Sequence, residues 1–242
     1  MESYRKRFQA PNAAELYHES LQKRIDWRLW EELIVPELYQ VLTKLKNLGA
    51  EKYLDFACGT GRVIDVSGSI FPHTTAIDIS PQMIKFASSR HENVSFIVAD
   101  VTAEPSLILE RFDCVTIFRF LLNAESSLRR QALSWLSKHV EPGGYLVGNV
   151  HLHSLIVAGM LAMTSHRFFG RSVSYLSRKE TETLLEKAGF KVEEWRGYRI
   201  LPTLMGRSLL GDSVQLKGEK LCKKLGLGVI GSDQMFVARR CK

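Results

Sequence analysis

The chain has 242 residues, 45% of them hydrophobic and 24% charged, and a formal net charge of +7. That length and balance suit one folded domain and exclude a largely disordered or fibrous chain. The positive excess points to acidic partners: nucleic acid, anionic lipid or an anionic small molecule.

The N-terminus is polar (Met1-Glu-Ser-Tyr-Arg-Lys-Arg) and no apolar signal core follows it. Glu15 to Gln40 reads as helical, with Trp30, Leu33 and Ile34 at helical spacing and Pro36 as an interruption. Val41, Leu42, Leu45 and Leu48 form a further helical stripe that Gly49 closes. From Lys52 the rhythm changes, and short apolar runs alternate with helical patterns. Tyr53–Ala57, Thr74–Asp78, Val94–Ala99, Cys114–Phe118 and Tyr145–Val150 are strand candidates. Near-continuous apolar strands between helices indicate a parallel sheet covered on both faces. Ser80 caps a helix that has Pro81 at its first position. Ser126 or Ser127 opens another, ended by Pro142-Gly-Gly. The longest apolar run, Leu155 to Met163, is far short of the roughly 20 residues that span a bilayer. Ser177-Arg-Lys-Glu180 is a capping box, and Gly189 closes its helix. Phe190–Tyr198 and Gln234–Ala238 complete seven strands. Residues 200–233 between them are long for a loop, and Leu216 to Leu225 supplies a helix there.

The four cysteines, Cys58, Cys114, Cys222 and Cys241, have no CxxC spacing, which argues against a disulfide framework or a zinc knuckle. A reduced, cytoplasmic setting fits best. From Met205 to Lys242, eight Lys or Arg face three acidic residues; this reads as a solvated basic tail, or as a surface that steers an anionic substrate or a membrane.

The chemistry lies in Tyr53-Leu-Asp55-Phe-Ala57-Cys58-Gly59-Thr-Gly61. A strand ends, a glycine turn follows and a helix begins, so the backbone can approach a ligand at the strand's carboxyl end. Asp55 precedes the loop, where it would repel a pyrophosphate and favour a cationic ligand. The third glycine of the dinucleotide fingerprint is absent, with Ile64 in its place. Asp78 ends the next strand, where a carboxylate accepts from ribose hydroxyls. Asp100 ends the third, where it can accept from an adenine amino group. Three carboxylates at successive strand ends, with Gly59 and Gly61, point to an adenosylmethionine site.

Asp55-Phe-Ala-Cys-Gly-Thr-Gly, Asp78-Ile-Ser-Pro-Gln-Met, Ala99-Asp100-Val101 and Glu141-Pro-Gly-Gly resemble the motifs of class I S-adenosylmethionine-dependent methyltransferases, with Ala57 where the family often has glycine. The resemblance covers about residues 52–150, and more loosely 177–194. It implies an α/β fold: a doubly wound, seven-stranded, mostly parallel Rossmann-like sheet with its last strand antiparallel. It implies S-adenosyl-L-methionine as cofactor, with Asp78 on the ribose, Ile79 and Met83 flanking the adenine, and Asp100 and the Val101 amide on its edge. Phe118 lies near the methionine portion, and Tyr17 is similar to the aromatic residue an N-terminal lid lays over the cofactor.

The acceptor is less legible. The fourth strand ends Phe118-Arg-Phe-Leu, unlike the Asn/Asp-Pro-Pro-aromatic motif of enzymes that methylate nucleic-acid amino groups. Cys114 lies inside a strand, and no acidic pair suggests a metal. Histidine titrates near neutrality, so His151 and His153, after the fifth strand, are the candidate bases for a hydroxyl acceptor. Arg119 and Asn123 are candidates to orient an anionic or polyol substrate. The expectation is a single domain over 1–242: a helical lid (1–50), a cofactor core (51–150) and substrate-cap segments (151–176 and 200–233). Its acceptor is a small molecule, anionic or a glycan, lipid-linked group or natural product. RNA or protein methylation is the alternative, though no appended nucleic-acid module supports it. A non-catalytic cofactor-binding protein and a nicotinamide oxidoreductase are the other readings, the last disfavoured by Asp55 and Ile64.

Overall fold

The computed structural model describes residues 12–152, 175–204 and 207–241. The strands are β1 (Lys52–Phe56), β2 (His73–Asp78), β3 (Val94–Val98), β4 (Phe112–Ile117), β5 (Val140–Leu152), β6 (Tyr175–Leu176), β7 (Phe190–Tyr198), β8 (Thr203–Leu204), β9 (Arg207–Ser208) and β10 (Asp233–Arg240). The main sheet runs β3-β2-β1-β4-β5-β10-β7, with short β6 pairing β5 beyond the end of β4. The first five strands of that order are parallel, and β10 is antiparallel to both neighbours. This is the doubly wound, mostly parallel sheet expected, and its last strand in sequence, β10, is the antiparallel one, set between β5 and β7.

Helices cover both faces because each presents one apolar stripe. Leu128, Ala132, Leu133 and Leu136 of α6 (Ser126–His139) and Leu185 of α7 (Arg178–Glu186) pack with Leu54, Val115 and Phe236. On the other face, α2 (Ile25–Leu29), α3 (Val35–Asn47) and the short α4 (Ile64–Ser67) bring Ile25, Leu29, Leu38, Val41, Leu42 and Val66 against Tyr53, Val147 and Met235. α1 (Ala13–Gln22) leans on α5 (Pro81–Ser88) through His18, whose ring lies 5.1 Å from that of Phe86.

Local signals act as expected at several ends. The Ser80 side chain accepts from the Met83 amide at 3.3 Å, and Ser177 and Glu180 close their reciprocal box. Pro36, expected to interrupt the helix, instead marks a change of pitch. Trp30–Ile34 forms a π turn that runs directly into α3, where Pro36 occupies the first turn and its missing N–H costs little. A second difference is the start of β5, which begins at Val140, ahead of Pro142-Gly-Gly. Pairing with β4 jumps from Phe112↔Val140 to Cys114↔Tyr145, so those residues form an irregularity inside the strand. Gly143 has φ +81°, and a side chain on Gly144 would meet the Asp113 carbonyl oxygen at 2.8 Å.

Residues 200–233 hold the β8–β9 hairpin, α8 (Asp212–Lys224) and a 3-10 turn at Leu227–Ile230. α8 extends four residues N-terminal of the helix read from sequence.

Candidate cofactor cleft

An open cleft of about 1030 Å³ lies at the carboxyl ends of β1, β2, β3 and β4. Its wall includes Tyr17, Asp55, Ala57, Cys58, Gly59, Asp78, Ile79, Met83, Asp100, Val101, Phe118, Arg119 and Asn123. The structure therefore brings together residues from four strand ends and one N-terminal helix that lie far apart in the sequence. Gly61 does not line it. Its φ is +82°, and an added Cβ would stand 3.2 Å from Ala87 Cβ and 3.3 Å from the His91 ring, so this glycine permits the close approach of α5.

Gly59 does face open space: at φ +54° a side chain there would meet nothing within 4 Å. Ala57 also has a left-handed backbone, φ 56°, the conformation that glycine adopts most readily. Asp78 holds this loop in place. Its carboxylate accepts from the Gly59 amide at 2.9 Å and from the Ser80 amide at 2.9 Å. Burial raises its pKa, and those amides oppose the rise.

Asp55 is 1% exposed. Thr116 on β4 donates to its Oδ1 at 2.7 Å, and since the Thr116 proton is so used, the Tyr53 hydroxyl donates to Thr116 at 2.5 Å. Oδ2 of Asp55 is buried with no hydrogen-bond partner. Burial pushes the Asp55 carboxyl up to about 7; the Thr116 bond opposes this, and nearby Asp78 adds to it. A buried acceptor without a donor is a place for a ligand cation. Asp100 is engaged differently: its Oδ1 accepts from the Thr102 amide (3.1 Å), the Thr102 hydroxyl (2.5 Å) and the Ala103 amide (3.2 Å), pinning the turn after β3.

Arg119 follows β4 with φ 59°, a strained position for a non-glycine residue. Two asparagines clamp its backbone: Asn149 Oδ1 accepts from the Arg119 amide at 2.7 Å, and Asn123 Nδ2 donates to the Arg119 carbonyl at 2.5 Å. The Asn123 amide thus has a structural use in addition to its place on the cleft wall. The Arg119 Nε is buried without a partner. Arg62 also lines the cleft and lies 4.9 Å over the Trp30 ring, which meets Phe118 edge-on at 5.8 Å. The π turn thereby ties the N-terminal helices to the cleft. Burial drives the Cys58 thiol far up, and it does the same for Cys114, which disfavours the thiolate at both.

His151 does not line the cleft. It is the penultimate residue of β5, two residues beyond Asn149 and on the same strand face. Its Nδ1 pairs with Oδ1 of Asp233, the first residue of β10 and its direct register partner. Arg199, at φ 57°, contacts Asp233 at 3.0 Å and Asp26 of α2 at 2.7 Å, and Arg24 reaches Asp26 at 2.9 Å. Burial alone would raise the Asp233 carboxyl, but Arg199 and then His151 hold it well below the usual carboxylate range. His153 lies outside the described residues, as do 154–174 of the expected cap. None of the described residues of 200–233 lines the cleft. They pack instead on α2 and β7, and Lys220 pairs with Glu32 at 2.8 Å.

A family model described as a methyltransferase domain matches residues 19–194. The chain belongs to this methyltransferase family. The match to the demethylmenaquinone methyltransferase of Renibacterium salmoninarum is 31% identical over 120 residues, 50% of this chain and 46% of that protein. A putative methyltransferase of Geobacillus is 27% identical over 141 residues, 56% of this chain and 55% of that one. The chain thus spans about half the length of these curated relatives. Among solved structures, a SAM-dependent methyltransferase from Archaeoglobus fulgidus superposes with TM-score 0.63 at 18% identity, covering 93% of this chain and 99% of that one. The magnesium protoporphyrin IX methyltransferase of Synechocystis PCC 6803, with bound SAH, gives 0.60 at 16% identity over 91% and 86%. The methyltransferase is of class I, and its cofactor is S-adenosylmethionine. The cleft suits that cofactor: an orphaned buried carboxylate oxygen for a cation, an open glycine loop, and apolar walls from Ile79, Met83 and Phe118. No helix among the described residues is long and apolar enough to cross a membrane.

Proposed function

We propose that this methyltransferase acts on a hydroxyl of a small acceptor, a glycan, a lipid-linked group or a natural product, with His151 as the base. The observation that carries the reading is the His151–Asp233 pair at the carboxyl edge of the sheet. Asp233 engages Nδ1, which leaves Nε2 as the nitrogen to accept a proton. The charged Asp233 stabilises the imidazolium that results, and Arg199 keeps Asp233 charged.

When bound, S-adenosylmethionine supplies a methyl group on a sulfonium. The residues have the following proposed roles. Asp55 Oδ2 accepts from the ammonium, and Asp78 accepts from the ribose hydroxyls. Asp100 and the Val101 amide meet the adenine edge between Ile79 and Met83. Ala57, Cys58 and Gly59 form the loop over which the methionine portion lies, with Phe118 beside it and Tyr17 above as lid. Arg119 and Asn123 orient the acceptor, and alignment plus exclusion of water does most of the remaining work. The curated relative from R. salmoninarum is named for demethylmenaquinone, which is compatible with a small acceptor.

The test is methyl transfer from isotopically labelled S-adenosylmethionine to a panel of sugars, nucleotide sugars, phenols and lipid-linked alcohols, with total RNA and protein as comparison substrates. An O-methyl product that disappears in His151→Ala supports the proposal. Exclusive labelling of RNA, protein or an amine overturns it.

A further inference from the structure

The segment that does not reach the cleft has a surface the reaction leaves unused. Among the described residues, fourteen large hydrophobic side chains are exposed, and eight fall within residues 209–230. They are Leu209, Leu210, Val214, Leu221, Leu225, Leu227, Val229 and Ile230, so the concentration is local rather than scattered.

The helix at its centre, α8, is amphipathic in the reverse sense. Its inward face is anchored by polar groups. Glu219, 1% exposed, accepts from the Ile200 and Leu201 amides at 3.0 and 2.8 Å, and Gln215, also buried, donates to the Leu201 carbonyl at 3.2 Å. Only Leu216 adds a buried large apolar side chain from this helix. Val214, Leu221 and Leu225 lie two and three turns along the opposite face, 56%, 57% and 66% exposed. Lys217 and Lys224 alternate with them on that face. Neither forms an ion pair among the described residues, whereas Lys220 and Lys223, turned toward the N-terminal helices, are taken by Glu32 and Glu37. Arg207 is exposed just ahead of the helix, and Asp212 is the one exposed acid within it.

We propose that this face docks on the surface of an anionic bilayer. An apolar stripe flanked by free lysines matches the boundary between acyl chains and acidic headgroups. A two-fold contact between copies would set the lysines of one stripe against those of the other, which disfavours self-association as the occupant. The position also fits. Asp233, Tyr198 and His151 are register partners, so the segment leaves and re-enters the sheet at its carboxyl edge, the edge that carries the cofactor cleft. Docking there holds the cleft beside the membrane, where an acceptor linked to lipid would be presented.

Flotation of the full chain with phosphatidylcholine vesicles containing about one third phosphatidylglycerol tests this. Binding is expected on these vesicles, at least about tenfold weaker on pure phosphatidylcholine, and strongly reduced as NaCl rises from about 0.05 to 0.3 M. The double variants Val214→Glu/Leu221→Glu and Lys217→Glu/Lys224→Glu are each expected to lose about tenfold or more. None of the four residues lines the cleft, so affinity for S-adenosylhomocysteine, measured in parallel, certifies the fold of each variant. Wild-type protein that stays off the anionic vesicles, or variants that bind like wild type, overturn the proposal. A wild-type dimer that Leu221→Glu dissociates, without vesicle binding, assigns the face to a second copy instead. Should a variant lose S-adenosylhomocysteine too, the salt dependence of the wild type decides: binding indifferent to salt and to phosphatidylglycerol overturns the claim.

Discussion

Thr116 donates to one oxygen of Asp55 at 2.7 Å while the other oxygen is buried without a partner. This half-satisfied carboxylate, pushed up to about 7 chiefly by burial, makes cofactor affinity dependent on pH. Its folded value lies above the ordinary 3.8, so the folded ligand-free chain holds the proton longer than the unfolded chain. The contribution of this group to stability is therefore present at low pH and is lost as pH rises from about 4 toward 7. A bound ammonium favours the charged form and expels the proton. Calorimetry with S-adenosylhomocysteine near pH 6, in buffers of different ionisation enthalpy, is expected to detect net proton release. Asp55→Asn is expected to abolish the release and weaken binding by about tenfold to a hundredfold.

Asp78 supports the glycine loop and faces the cleft. Asp78→Ala is expected to cost about tenfold to a hundredfold in S-adenosylhomocysteine affinity, through lost ligand contacts and a loosened Gly59 amide. Titration of wild type with NAD serves as the comparison, and no binding is expected. Preference for NAD would reopen the oxidoreductase reading.

His151→Ala and Asp233→Asn are both expected to lower kcat by about a hundredfold or more while S-adenosylhomocysteine affinity stays near wild type. The two substitutions act on one unit, so the double variant is expected to lose little beyond the worse single one. Additive losses would argue that the pair does not work as a unit.

Gly61→Ala should separate folding from binding. The added methyl meets Ala87 and His91 at a backbone angle that alanine disfavours. Thermal unfolding is expected to report a loss of about 1–3 kcal/mol. Because Gly61 does not line the cleft, affinity of the folded fraction is expected to change less than stability.

Breaking the buried cluster should be costlier. Arg199→Gln leaves Asp26 and Asp233 without the cation that joins them, and a loss of about 3–5 kcal/mol is expected in denaturant unfolding.

Much of the fold and part of the site were legible along the chain. Runs of period two or 3.6, the Ser80 and Ser177 caps and the carboxylates Asp55, Asp78 and Asp100 at strand ends are signals within a few residues of their effect. A parallel sheet then carries strand ends to one edge without further instruction, which is why these acids meet in one cleft. Other features depend on partners far away in sequence. Asp233 meets His151 because β10 pairs antiparallel with β5, and Thr116 reaches Asp55 because β4 lies beside β1. Trp30, in the π turn, meets Phe118 and Arg62, residues far from it in sequence. Gly61 looked like a cleft residue from its motif, yet its use is helix packing. The sequence alone determined the seven long strands of the sheet and the acids at or near their ends, because backbone propensity and capping act locally. Only the tertiary structure decided which carboxylate is left half-satisfied, which histidine gains a partner, and which face of α8 is turned to solvent, because burial and long-range pairing set those outcomes.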